Sequence, residues 1–190
     1  MKKYIIQSIR LTLVLMVLLC VIYPVLIACA GKLSKGEGGG QKIKVNGKTI
    51  GYSNIGQVFN RPEYFWGRAS AVDYNAAGSA GSNKGPLNPD HLKQVEERID
   101  TLLKYHPYLK RNEIPADLVT ASGSGLDPDI SPEAARIQIK RVAENRKLNI
   151  DEVKALVNKN TEGPLLGLLG PSKVNVLKLN VALDEISKSR

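Results

Sequence analysis

"LTLVLMVLLCVIYPVLIACAG", residues 11–31, decides how the rest of the chain is read. It holds 21 residues without a charge. That is enough to cross a hydrocarbon layer of about 30 Å as one helix. Lys2, Lys3 and Arg10 precede it, and Lys32 and Lys35 follow. The flank richer in Lys and Arg stays cytoplasmic. Three against two favours a short cytoplasmic tail over residues 1–10, a transmembrane helix over 11–31 and the remainder outside. A cleaved lipoprotein signal is the alternative. "LIAC", Leu26–Cys29, fits a lipobox, behind a basic start and an apolar stretch. In that reading Cys29 carries lipid and anchors a domain that binds a small molecule or a partner. Both readings put the bulk of the chain outside the cytoplasm.

The 190 residues carry a net charge of +9, and the five Lys and Arg that precede Glu37, the first acid, contribute more than half of it. Basicity flanking an apolar segment suits anionic lipid heads. No basic stripe with interleaved aromatics occurs, so a nucleic-acid partner is not indicated. Cys20 and Cys29 both lie in the apolar segment, about 13 Å apart along a helix, too far to bridge. His91 and His106 stand alone, without metal-ligand spacing.

Residues 32–41 read as a flexible, Gly-rich tether. Residues 42–190 then read as one α+β domain outside the cytoplasm. "KIKVNGKTIGY" (42–52) predicts a hairpin, with Asn46-Gly47 in a type I′ turn. Residues 54–89 are irregular. Asn88-Pro89 opens a helix whose buried stripe is Leu92, Val95, Ile99, Leu102 and Leu103, closed by His106-Pro107. Ser131-Pro132 repeats the start signal, followed by Ala135, Ile139 and Val142. Asn149 with Glu152 suggests a capping box for a short helix through Val157. "VNVLKLNVALD" (174–184) alternates through Leu177, Leu179, Val181 and Leu183, which favours a strand; a helix is the alternative.

Catalytic patterns fail when tested. "GSAGSNKGP" (78–86) lacks the Gly-Lys-Ser/Thr of a phosphate loop. Ser124 has Ser122 where a nucleophile elbow needs Gly. A calcium loop starting at Asp127 would meet Pro132 and Gln138 where it needs Gly and Glu. The chain therefore reads as a non-enzyme. Asp127 and Asp129 fit a capping turn before the Ser131 helix, with the helix dipole favouring their charge. The alternative is a polar loop that meets a ligand or partner.

"DLVTASGSGLDPDISPEAARIQIKRVAENRKL" (117–148) resembles the signature block of the C subunit of the Kdp potassium-transporting ATPase. "IYP" (22–24), "IGQVF" (55–59), "YFWGRASA" (64–71), "SAGSNKGPLNP" (79–89) and "LGPSKVNVLKLNVALD" (169–184) resemble further blocks in the same order. Ala69, Ala80, Lys84 and Asp129 depart from that family's usual Pro, Gly, Leu and His. The resemblance implies a single-pass accessory subunit of an ATP-driven potassium uptake complex in the plasma (inner) membrane. Its partners would be a channel-like A subunit, a P-type ATPase B subunit and a small F subunit. The implied role is to raise the ATP affinity of the B subunit. A domain outside the membrane cannot touch cytoplasmic ATP, so the effect would be indirect. The chain would hold no cofactor, ATP and K+ being handled by its partners. The candidate partner contacts are Tyr64, Phe65, Arg68, Ser82, Asn83, Ser122, Ser124 and Asp127. Gly123, Gly125, Ser131 and Pro132 are expected to shape the loop.

Overall fold

The computed structural model describes residues 2–188; Met1 of the expected tail and the last two residues of the expected domain lie outside them. The chain divides into two compact units, Met1–Lys42 and Ile43–Arg190.

The first unit is helical from its start. α1 (Lys2–Val17) runs through a π turn (Leu18–Ile22) into α2 (Tyr23–Gly31). Nothing in residues 2–10 breaks a helix, so these residues are helical too. The π turn sits where Pro24 lacks an N–H to donate. Immediately before the proline, the Tyr23 N–H reaches back to the Leu18 carbonyl, five residues away. The apolar stretch Lys3–Gly31 is 29 residues long, none of its apolar window is buried, and its length and composition suit a membrane span.

The second unit mixes helices and short strands. β1 (Lys42–Val45) and β2 (Lys48–Tyr52) form the predicted hairpin. Asn46 at φ 51° and Gly47 at φ 78° give the two left-handed residues that a type I′ turn needs. α3 (Pro89–Tyr105) starts at Asn88, whose side chain accepts from the Asp90 and His91 N–H groups. Ile99 and Leu102 are buried and Val95 and Leu103 pack beside them, but Leu92 faces solvent. α4 (Ala116–Val119) leads to β3 (Asp129–Ile130). α5 (Pro132–Arg146) is capped by Ser131, which accepts from Ala134 N–H at 3.0 Å. Asn149 caps α6 (Ile150–Lys159) by accepting from Asp151 N–H. β4 (Thr161–Glu162) and β3 flank β5 (Lys173–Asn175) in an antiparallel sheet, with Thr161 opposite Val174 and Asp129 opposite Asn175.

The strand favoured over 174–184 is corrected. It lasts only to Asn175, and α7 (Val176–Lys188) takes over. The apolar residues there satisfy both periods. Val176, Leu179 and Leu183 are buried one helical turn apart. The Asn175 side chain accepts from Lys178 N–H at 3.1 Å, which starts the helix. These residues join Phe65, Ile130, Ile139, Val142, Val153, Val157 and Val174 in one core.

The irregular stretch is anchored by side-chain amides. Asn180 Oδ1 accepts from Phe65 N–H at 2.9 Å while its Nδ2 donates to the Phe65 carbonyl at 3.0 Å. Gln138 treats Trp66 in the same way, at 2.8 and 3.2 Å. Asn175 Nδ2 donates to the Ser53 carbonyl at 2.7 Å. Asn180 and Gln138 each offer the donor and acceptor that a neighbouring strand would have supplied, and Asn175 adds a donor, so a buried backbone without a ladder stays satisfied.

Candidate functional site

Three loops converge around the Gly-Ser stretch. Ala69 and Ala121 form a parallel bridge, and Ser122 N–H donates to the Ala69 carbonyl at 3.0 Å. Ser79 Oγ donates to the Ser124 carbonyl at 2.9 Å. Gly56 N–H donates to the Leu126 carbonyl at 2.7 Å. Ser70 Oγ accepts from the N–H groups of Val72 and Tyr74.

The charged centre of this cluster is an ion pair, Arg68 Nη1 to Asp127 Oδ2 at 2.9 Å. Asp127 Oδ1 also accepts from Asp129 N–H. The Tyr74 hydroxyl donates to the Arg68 carbonyl. Burial raises the Tyr74 phenol above its ordinary pKa, and the Asp127 charge adds to that. Arg68 Nε is buried and makes no hydrogen bond. Asp73, Tyr74 and Asn83 have φ near 50–58°, uncommon for residues other than glycine. Such backbone persists where surrounding contacts hold it, and it gathers at functional sites. A cavity of about 360 Å³ opens beside the ion pair, lined by Trp66, Arg68, Tyr74, Arg98, Tyr105 and Leu118 among others.

The expected contact residues do not form one face. Arg68, Asp127 and the exposed Ser124 belong to the cluster, and Ser82 and the exposed Asn83 border it. Tyr64 sits instead with Asp184, at 3.2 Å from its hydroxyl, and under the Arg146 guanidinium. Phe65 and Ser122 are buried in the folded unit. Gly125 has φ +67° and no space for a Cβ. Gly123 has neither constraint, so its expected structural role is not found. The helix start is also held differently. Asp117, not Asp127 or Asp129, accepts from Ser131 N–H at 2.7 Å. Asp129 pairs with Lys173 and Asn175.

A second polar cluster escaped sequence reasoning. Arg141 is buried, and its Nε donates to His106 Nε2 at 3.0 Å. Its Nη atoms reach the Pro62 carbonyl and Gln138 Oε1. Its guanidinium lies 4.1 Å from the Trp66 ring centroid. Burial lowers the Arg141 pKa to about 10, which leaves it charged at neutral pH. His106 Nδ1 lies 2.8 Å from the Leu102 carbonyl, so Nδ1 carries the proton and Nε2 accepts. Both ring nitrogens are engaged, which leaves this histidine no role as a general base. The signal was present in the sequence, since Gln138 and Arg141 fall on the buried stripe of Ala135, Ile139 and Val142. Among the described residues no three His, Cys, Asp or Glu side chains gather as a metal site.

His106 predicts an acid sensitivity. Burial above all, with the Arg141 charge assisting against the Leu102 hydrogen bond, lowers its pKa from 6.5 to about 4. Above the unfolded value both states are neutral. As pH falls from about 6.5 to 4 the unfolded chain takes up a proton that the folded chain refuses. Stability is therefore lost across that window, by about 3 kcal/mol at most. Denaturant unfolding of wild type and His106→Gln from pH 8 to 4 should show a shallower slope in the variant. Equal slopes refute the assignment.

Comparisons with known proteins give the family. The model of the KdpC family, "K+-transporting ATPase, c chain", matches residues 5–185. A potassium-transporting ATPase KdpC subunit of Flavobacterium johnsoniae is 55% identical over 184 residues, covering 97% of this chain and 99% of the relative. That of Flavobacterium psychrophilum is 58% identical over the same length and coverage. That of Bacteroides fragilis is 49% identical over 187 residues, 97% and 98% of the two chains. With the match running from the apolar helix almost to the end of α7, the chain belongs to the KdpC family of potassium-transporting ATPase subunits.

Proposed function

We propose that this chain is a non-catalytic accessory subunit that braces a potassium uptake complex from outside the cytoplasm. Its helix crosses the plasma membrane once, with the N-terminus inside and the second unit outside. Its partners are a channel-like A subunit, a P-type ATPase B subunit and a small F subunit. ATP and K+ are handled by those partners, and the chain itself holds neither. Its effect on ATP use is indirect, through stabilising one arrangement of the complex over another. The family match over residues 5–185 carries this reading. The Arg68–Asp127 cluster supports it. Its loops are locked by their own hydrogen bonds, yet Ser124 and Asn83 keep their side chains exposed beside it. A preformed polar surface of that kind suits the rim of a protein contact.

Topology is the direct test. In a background with Cys20 and Cys29 replaced by Ser, Lys154→Cys reacts with an impermeant thiol reagent in intact cells whose outer membrane, where present, is permeabilised. Lys154 is exposed on α6 in the folded unit. Labelling that appears only after lysis overturns the orientation.

A further inference from the structure

The connection between β4 and β5, residues 163–172, reads "GPLLGLLGPS". It carries no charge and no aromatic residue. Leu165, Leu166, Leu168 and Leu169 are 68%, 84%, 88% and 60% exposed. Four adjacent leucines in water are unusual on a folded surface, where contiguous apolar patches mark contact sites. The loop is also built to hold them out. Leu165 N–H donates to the Leu169 carbonyl at 2.8 Å, and Leu169 N–H returns to the Leu165 carbonyl at 2.9 Å. Gly167 N–H donates to the Pro164 carbonyl at 3.0 Å. Leu166 takes a left-handed φ of 55°, next to Gly167 at 75°. A leucine in that conformation is held there against its own preference.

We propose that this tip is a plug for an uncharged, apolar socket on a neighbouring subunit of the potassium-transporting complex. The charge pattern around it chooses between a protein and a lipid surface. Segments that lie in a bilayer interface use Trp, Tyr, Lys and Arg as anchors. The tip has none of these. The lysines at its base are engaged, Lys173 with Asp129 at 2.7 Å and Lys178 with Glu162 at 2.9 Å. A fixed, strained turn on an electrically neutral base fits a fixed socket, whereas a fluid surface needs no preset shape. This inference rests on the accessory-subunit reading above.

The test uses the full chain co-expressed with the other subunits of its complex. Leu166→Asp/Leu168→Asp should lower the amount that co-purifies at least about tenfold, since each lost leucine contact is worth a factor of that order. Independently, Leu168→Trp reports the surroundings of the tip, with the wild-type signal of Trp66 subtracted. Its emission should shift to the blue on assembly and stay solvent-like for the chain alone in nanodiscs. Normal co-purification of a folded double variant overturns the plug. So does an emission that is solvent-like in both states, or one quenched by brominated lipid in the chain alone, which assigns the tip to the bilayer. If the double variant does not fold, the tryptophan result decides. Failure of the wild-type chain itself to co-purify sinks the subunit reading and the socket with it.

Discussion

Arg141→Ala lowers the stability of the folded unit by roughly 3–5 kcal/mol. The residue is 2% exposed, and among the described residues its cationic head has no carboxylate at hydrogen-bond distance. Neutral acceptors and an aromatic face solvate it instead. Truncation leaves His106 Nε2, the Pro62 carbonyl and part of Gln138 Oε1 without their donor, each at a cost of about 1–3 kcal/mol. It also opens a cavity beneath Trp66. Relief from burying the charge offsets part of this. The remainder is a large share of the roughly 5–15 kcal/mol by which whole domains are stable. Arg141→Lys should recover little, because a single ammonium cannot span acceptors arranged for a planar fork. Denaturant unfolding followed at Trp66, the one tryptophan, measures both variants. A loss below about 1 kcal/mol for Arg141→Ala sinks this account of the cluster.

Gly125→Val is the second severe change, and Gly123→Val is its control. A Cβ on Gly125 would lie 2.5 Å from Val72 Cγ2 and 2.8 Å from the Ala80 carbonyl oxygen. The left-handed backbone at φ +67° adds its own penalty for a β-branched residue. Together the clash and the conformation cost about 3–5 kcal/mol. Two residues earlier nothing stands within 4 Å of the position a Cβ would take, and φ lies outside the left-handed range. The same substitution at Gly123 should stay within about 0.5 kcal/mol. Thermal melts of the two purified variants separate them. Matching melts would mean that the loop adapts and that the left-handed turn is not needed.

These two sites show what a sequence can and cannot carry. Local chemistry was legible. Asn88-Pro89 and Ser131-Pro132 start helices, and Asn46-Gly47 turns a hairpin, because each signal acts within four residues. The strand expected over 174–184 failed because its apolar residues serve either period. Which one prevails depends on the core that Val176, Leu179 and Leu183 enter. The site was less legible still. Ser122 and Ser124 look alike in sequence, yet one is buried under Ala69 and the other is exposed. Asp127 looked like a capping residue, but its partner Arg68 lies 59 positions away. Long-range pairings of this kind have no local period to announce them.

The clasp between Asn180 and Phe65 sets an order on the making of the protein. The two residues are 115 positions apart, and Asn175 and Ser53 are 122 apart. A chain is synthesised from its N-terminus, so Phe65 emerges long before the amide that will hold its backbone. Until α7 arrives, Phe65 has an apolar side chain to bury and no amide to hold its peptide groups, even though Gln138 can already hold Trp66. The closure around Phe65 is therefore completed only after the final helix has been released. A stop codon even a few residues before Asn180 would take away the clasp on Phe65 together with Leu183 of the core, and the product should be degraded rather than shortened.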